Sequence, residues 1–211
     1  MRVLVVTAVP AERDAVTRAF GPGFAADVIA AGVGPAAAAA GAATALATRP
    51  YGLVISAGIG GGFRLVAPPE SVVVADAIVA ADLGAETPDG YVPVTALGFG
   101  TVEHRPPAAL VRAVADATGA VTGTVLTVST VTGSAARADE LRARHPQAAA
   151  EAMEGFGVAE AAALHGVPVL EIRAVSNAVG PRDRAAWRIG EALDALSAAF
   201  GKLAPVLEGW E

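Results

Sequence analysis

Two carboxylates and one carboxamide stand out in this chain: Glu12, Glu154 and Asn177. A carboxylate can take a proton from water or accept hydrogen bonds from a sugar's neighbouring hydroxyls. A carboxamide presents a donor and an acceptor side by side, which suits the edge of a purine. The set fits cleavage of a nucleoside's N-glycosidic bond. Met153 and Ser176 adjoin it, and a glycine-rich run, Gly58-Ile59-Gly60-Gly61-Gly62, precedes it. Without side chains, backbone N–H groups in such a run can approach a ligand closely. The run is not a dinucleotide fingerprint, because Phe63 stands where a third spaced glycine would fall, and it lacks the Gly-Lys-Ser/Thr of a P-loop.

Each feature also has a plain structural role. Glu12 and Glu154 precede or open helical patterns, where acidic residues favour the helix dipole. The glycines suit a tight turn, and Ser176-Asn177 suits a turn opener.

The elements that must position these residues follow from periodicity and punctuation. Short apolar runs predict strands over 3–7, 28–31, 53–56, 71–80, 121–128 and 168–175, with a weaker one over 91–97. Helices are predicted over 10–19, 35–48, 107–117, 135–144, 155–165 and 183–207, and the glycine run 58–62 is expected as a loop. In the last helix Ile189, Leu193, Leu196, Phe200 and Leu203 form one apolar stripe. The alternation predicts an α/β fold: a three-layer α/β/α domain with a central mixed, largely parallel sheet, spanning 1–211 as a single domain. In such sheets ligands gather beyond the carboxyl ends of the strands, where Glu12 and Asn177 are expected.

Composition narrows the function. The chain has 211 residues, 54% of them hydrophobic, yet no uninterrupted apolar run approaches a membrane span. The first apolar run is short for a signal peptide, so a cytoplasmic location is expected. Cysteine is absent, and His104, His145 and His165 are scattered, so neither a metal nor a cofactor is expected. A net charge of -6 without a basic stripe disfavours nucleic acid. Arg142, Arg144 and His145 read as a solvated helix face.

In order along the chain, five segments carry a resemblance. They are Glu12; Ala31-Gly32-Val33-Gly34-Pro35; Val54-Ile55-Ser56-Ala57-Gly58 with Gly60-Gly61-Gly62; Ala152-Met153-Glu154-Gly155; and Arg173-Ala174-Val175-Ser176-Asn177. Over nearly its whole length the chain resembles the nucleoside phosphorylase/nucleosidase superfamily, particularly the methylthioadenosine/S-adenosylhomocysteine nucleosidases. The resemblance implies that Glu12 activates water, that Glu154 with Met153 holds the ribose, and that Gly58, Ile59 and Gly60 lie beside the sugar. It also implies a homo-oligomer, a dimer or larger.

Three positions depart from that pattern. Asn177 replaces an aspartate, Ile59 replaces a serine, and no base-stacking phenylalanine occurs in Ser129-Thr130-Val131-Thr132-Gly133. With Ser176-Asn177-Ala178-Val179-Gly180-Pro181-Arg182-Asp183 and Trp187, these departures resemble the futalosine hydrolase branch. That branch releases hypoxanthine from futalosine on an alternative route to menaquinone. Asn177 can donate to O6 of a 6-oxopurine and accept from N7–H, with Ser176 positioning a water that supplies the proton. Arg182, Arg184, His104 and Arg105 are all candidates to face the substrate's carboxylate tail. A methylthioadenosine/S-adenosylhomocysteine or aminodeoxyfutalosine nucleosidase, a phosphorylase and a non-catalytic purine nucleoside-binding protein are the alternatives.

Overall fold

The computed structural model describes residues 1–21 and 23–210. Strand β1 (Val3–Thr7) leads into α1 (Pro10–Ala19), β2 (Ala26–Ala30), α2 (Pro35–Leu46) and the long β3 (Leu53–Gly62). Then come β4 (Val72–Ala80), a hairpin of β5 (Gly84–Thr87) and β6 (Gly90–Pro93), a 3-10 turn over Val94–Leu97, and the short β7 (Glu103–His104). These are followed by α3 (Ala108–Thr118), β8 (Val121–Thr127), α4 (Ala135–Arg144), β9 (Ala148–Ala152) and α5 (Gly155–Leu164). Finally come β10 (Val169–Ala178), a 3-10 turn over Arg184–Ala186, and α6 (Ile189–Glu208).

Among the described residues the main sheet has eight strands in the order β10-β4-β8-β9-β3-β1-β2, with β7 on β4 and β10 also paired to β3. That last pairing curls five strands, β3, β10, β4, β8 and β9, into a ring. Pairs β1–β2, β1–β3, β3–β10, β4–β8 and β8–β9 are parallel. Pairs β10–β4, β3–β9 and β4–β7 are antiparallel. The fold is therefore the expected α/β type with a mixed sheet.

Helices cover both faces. On one side α2 and α5 pack over Val54, Val73 and Val125. The approach is close because α2 is mostly alanine, and a side chain at Gly157 would run into the Pro35 carbonyl. On the other side α1, α3 and α6 bury Leu110, Leu196, Phe200 and Leu203 against Ile55 and Ile172. Among the described residues no helix is long and apolar enough to cross a membrane.

Several expectations need correction. The glycine run is the second half of β3, not a loop, and it pairs with β10 on one side and β9 on the other. Glycine is required there by crowding: a Cβ on Gly60 would lie 2.7 Å from the Glu151 carbonyl oxygen. The segment 91–97 is half hairpin and half 3-10 turn, and Thr87-Pro88-Asp89-Gly90 is a turn signal that marks the hairpin. Strand β9 was unforeseen, because its alanines have little strand propensity and only the neighbouring β8 and β3 make it extended. Strand β10 runs on through Ser176 and Asn177.

The last helix starts later than expected. Asp183 accepts from Ala185 N, and Arg188 N donates 2.8 Å to Ser176 O, which holds the 3-10 turn and Trp187 over the end of β10. Its buried stripe is accordingly Ala192, Leu196, Ala199, Phe200, Leu203 and Leu207, with Ile189 exposed. Of the basic face expected on α4, Arg142 is exposed. Arg144 instead folds over the Tyr91 ring at 4.2 Å and donates to Ala81 O, and His145 is half-buried.

Candidate active site

Strand geometry explains why the functional side chains converge. Glu12 enters from the first turn of α1, directly after β1. Antiparallel pairing runs β9 back along β3, with Ala150 opposite Gly62 and Glu151 opposite Gly61. The chain after β9 thus carries Met153 and Glu154 back toward the middle of β3. Strand β10 lies on the other side of β3 and places Arg173 opposite Gly58 and Asn177 opposite Gly61.

Glu12 is only 4% exposed. Its Oε2 accepts from the backbone N–H of Ala8 at 3.0 Å and of Val9 at 3.3 Å. Its Oε1 accepts from Ile59 N at 2.9 Å. The capping role and the chemical role are therefore compatible: the same bonds that close the helix start also aim the carboxylate. Ile59 contributes its backbone N–H, a group any residue but proline supplies.

Glu154 stands at the N-terminus of α5. Its Oε1 accepts from Gly34 N at 3.1 Å, and its Oε2 accepts from Met153 N at 3.3 Å. The glycine segment after β2 is thereby tied to the start of α5.

Arg173 is the residue that sequence reasoning undervalued. Its side chain has no solvent exposure. It donates from Nε to Glu171 Oε1 at 2.8 Å, from Nη1 to Glu154 Oε2 at 3.2 Å, and from Nη2 to Ser56 Oγ at 2.9 Å. Burial alone would lower its pKa, but Glu171, Glu154 and Glu12 outweigh burial and raise it. Glu171 is fully buried, and burial pushes its pKa above the ordinary carboxylate value despite the Arg173 charge. The signal available was Glu171-Ile172-Arg173, two opposite charges on one face of an otherwise apolar strand.

Gly58 is buried beneath the cavity wall instead of lining it. A Cβ there would lie 2.6 Å from Glu12 Oε1 and 2.7 Å from Arg173 Nη1. Glycine is what leaves room there for both the carboxylate and the guanidinium.

Above this cluster opens a cavity of about 380 Å³. Glu12, Ile59, Gly60, Met153, Glu154, Ser176 and Asn177 all line it, as do Val131, Thr132, Glu151 and Trp187. Ser176 Oγ lies 2.9 Å from Asn177 Oδ1 and 3.2 Å from Gly60 O. Asn177 Nδ2 donates to Ala178 O at 3.0 Å, which leaves its second N–H for a ligand. Of the four candidates for the substrate tail, Arg182 lines the cavity and lies 5.3 Å over the Trp187 ring. Arg184 sits on the same ring at 5.7 Å. His104 and Arg105 are outside the lining, paired with Glu160 and Glu103. A second cavity of about 460 Å³ adjoins the first and shares Asn177, Ala178, Pro181 and Trp187 with it. No cluster of three or more acidic or histidine side chains suited to a metal ion occurs among the described residues.

Known proteins share this architecture. The pattern of the phosphorylase superfamily matches residues 26–207. The futalosine hydrolase of Streptomyces coelicolor is 68% identical, over 100% of this chain and 98% of that protein. The futalosine hydrolase of Acidothermus cellulolyticus is 48% identical, over 95% of this chain and 89% of that protein. An S-adenosylhomocysteine nucleosidase from Streptococcus pyogenes, solved with 5-methylthiotubericidin, superposes with a TM-score of 0.83 at 18% identity, covering 100% of this chain and 98% of that one. The chain belongs to the phosphorylase superfamily and, within it, to the family of the futalosine hydrolases.

Proposed function

We propose that this protein hydrolyses the N-glycosidic bond of futalosine and releases hypoxanthine, with Glu12 as general base and Asn177 reading the leaving purine. The observation that carries the reading is the meeting of Glu12, Glu154 and Asn177 on one cavity, in a member of the futalosine hydrolase family.

Glu154, held by Gly34 N and Arg173, accepts from the ribose hydroxyls and sets the sugar's orientation. The bond from C1′ to N9 breaks, its electron pair goes to the purine, and positive charge develops on the sugar. Glu12 takes a proton from the water that attacks C1′. Hydrogen bonds from Asn177 to the purine strengthen as that ring gains negative charge. A carboxamide cannot give up a proton, so a water beside Ser176 delivers one to the base, and the hydroxide it leaves is neutralised by the proton that Glu12 took, which restores the carboxylate. Met153, Ile59 and Gly60 form the wall against which the sugar rests.

Water, not phosphate, is the nucleophile in this reading. A phosphate site is served by free cationic donors; Arg173, beneath the cavity, is spent on Glu171, Glu154 and Ser56, while Arg182, in its lining, lies by Trp187. Glu12 and Glu154 would also repel a dianion. Arg182 beside Trp187 is the cation this reading assigns to the substrate's carboxylate. Val9, Val33 and Val131 are exposed, apolar and at the cavity mouth, which supports covering by a second copy of the chain. A cytoplasmic location belongs to the same proposal.

The test is base release from futalosine, inosine and methylthioadenosine, each with and without phosphate. Phosphate-independent hypoxanthine from futalosine, with little from inosine, is expected. Adenine from methylthioadenosine, or a requirement for phosphate, would overturn the reading.

A further inference from the structure

Glu151 is a buried carboxylate that the mechanism above leaves unused. It is 5% exposed and lines the cavity. Its Oε1 accepts from Thr132 N at 2.8 Å, and its Oε2 accepts from the Thr132 hydroxyl. Among the described residues no cation lies within ion-pairing distance of it. A carboxylate has about four acceptor sites. Two are filled, and burying the remainder without a donor is costly.

Its position says where that donor comes from. Gly61 in β3 is paired on one side with Glu151 in β9 and on the other with Asn177 in β10. The two polar residues therefore stand on one row of the sheet, about two strand spacings or roughly 9–10 Å apart. Between them is a residue with no side chain, and all three line the cavity.

We propose that Glu151 is the second base-reading residue, accepting the N1–H of a 6-oxopurine whose O6 and N7 face Asn177. This inference rests on the function proposed above. It also supplies what Asn177 lacks. A carboxamide can turn over and serve either a 6-oxo or a 6-amino purine. An ionised carboxylate only accepts. Hypoxanthine offers it a hydrogen at N1, whereas adenine offers a lone pair there. Burial raises the Glu151 pKa, and Thr132, donating from both its N–H and its hydroxyl, opposes that shift in favour of the ionised form. Selectivity for the oxo base is thus carried by Glu151, and Asn177 follows whichever base is bound.

The experiment is calorimetric binding of hypoxanthine and of adenine to the wild-type protein and to Glu151→Gln. The wild type is expected to prefer hypoxanthine. In Glu151→Gln that preference should fall about tenfold or more, because a charge-assisted bond is lost and the new amide can donate to adenine N1. An unchanged preference in a folded variant would overturn the inference and leave Glu151 as a clasp for the loop bearing Thr132. If the variant does not fold, 1-methylhypoxanthine is tested on the wild type. Binding about tenfold weaker than hypoxanthine supports the inference, and equal binding overturns it. A wild-type preference for adenine would instead remove the function reading, and this inference with it.

Discussion

Arg173 donates from Nη1 to Glu154 Oε2 across 3.2 Å, tying the middle of β10 to the residue that caps the N-terminus of α5. Three carboxylates, Glu12, Glu154 and Glu171, surround this one guanidinium, and its side chain has no solvent exposure. Removing one partner from such a cluster leaves uncompensated buried charge. Arg173→Met is therefore expected to cost on the order of 3–5 kcal/mol of stability. Arg173→Lys should recover part of that loss but not the three-way fork. Chemical denaturation of both variants checks the prediction, and equal stability of Arg173→Met and the wild type would refute it.

Glu12→Gln keeps the shape of the side chain and, through its one carbonyl oxygen, the contacts with the Ala8 and Val9 N–H groups; it gives up the bond from Ile59 N–H and cannot take a proton. The expected result is a kcat lower by about 10²–10⁴-fold with KM little changed. A thermal melt close to that of the wild type would show that the loss is chemical. Unaltered kcat would remove Glu12 from the role of base.

Gly58→Ala places a methyl 2.6 Å from Glu12 Oε1 and 2.7 Å from Arg173 Nη1. Both are pinned by other bonds, so neither can yield freely. The variant should lose about 1–3 kcal/mol of stability and most of its activity. Gly90→Ala, in the exposed β5–β6 turn, serves as a control for glycine loss, since its Cβ meets nothing within 4 Å and only its φ of +114° is strained. Normal turnover by Gly58→Ala would show that the Glu12 geometry tolerates displacement.

Burial raises the pKa of Glu171, with Arg173 opposing and Glu154 adding to the shift. A carboxyl whose pKa rises on folding binds its proton more tightly in the native chain. Its contribution to stability is complete below the unfolded-state pKa and is lost as pH rises through the raised value. Glu171→Gln abolishes that titration. The melting temperature of the wild type should therefore fall relative to that of Glu171→Gln as pH rises above the ordinary carboxylate range. Parallel curves would contradict the sign.

Asn177→Asp restores the acid of the methylthioadenosine-type pattern. A protonated carboxyl can donate to N7 while its other oxygen accepts from a 6-amino group. Hypoxanthine release should drop by about tenfold or more, and release of adenine from aminodeoxyfutalosine should rise relative to it. Chromatography of the two products reads the ratio, and an unchanged ratio would mean that Asn177 does not face the base.

How much of this was legible in advance varies by residue. The short strands around Val5, Ile55 and Ile172 announce themselves, because a β-branched run buried on both faces has no polar alternation to hide it. Glu12 and Asn177 were readable as chemistry since each follows the end of a strand pattern, and Glu154 through the resemblance carried by Ala152-Met153-Glu154-Gly155. Strand β9 was not, because Ala148-Ala149-Ala150 is extended only through its pairing with β8 and β3. Glu151 escaped notice for the same reason, being one residue of an unforeseen strand.

By itself, then, the order of residues determined the α/β class, the helix that starts at Pro10 and the identity of the polar groups near the strand ends. Local pattern suffices for these, since each depends on neighbours a few positions away. Only the tertiary structure decided that β3 continues through its glycines, that β10 and β9 flank it, and that Arg173 therefore lies between Glu12, Glu154 and Glu171. Such meetings depend on which strands pair and in what register. They are long-range pairings that close the β3–β10–β4–β8–β9 ring, and no local spacing encodes them.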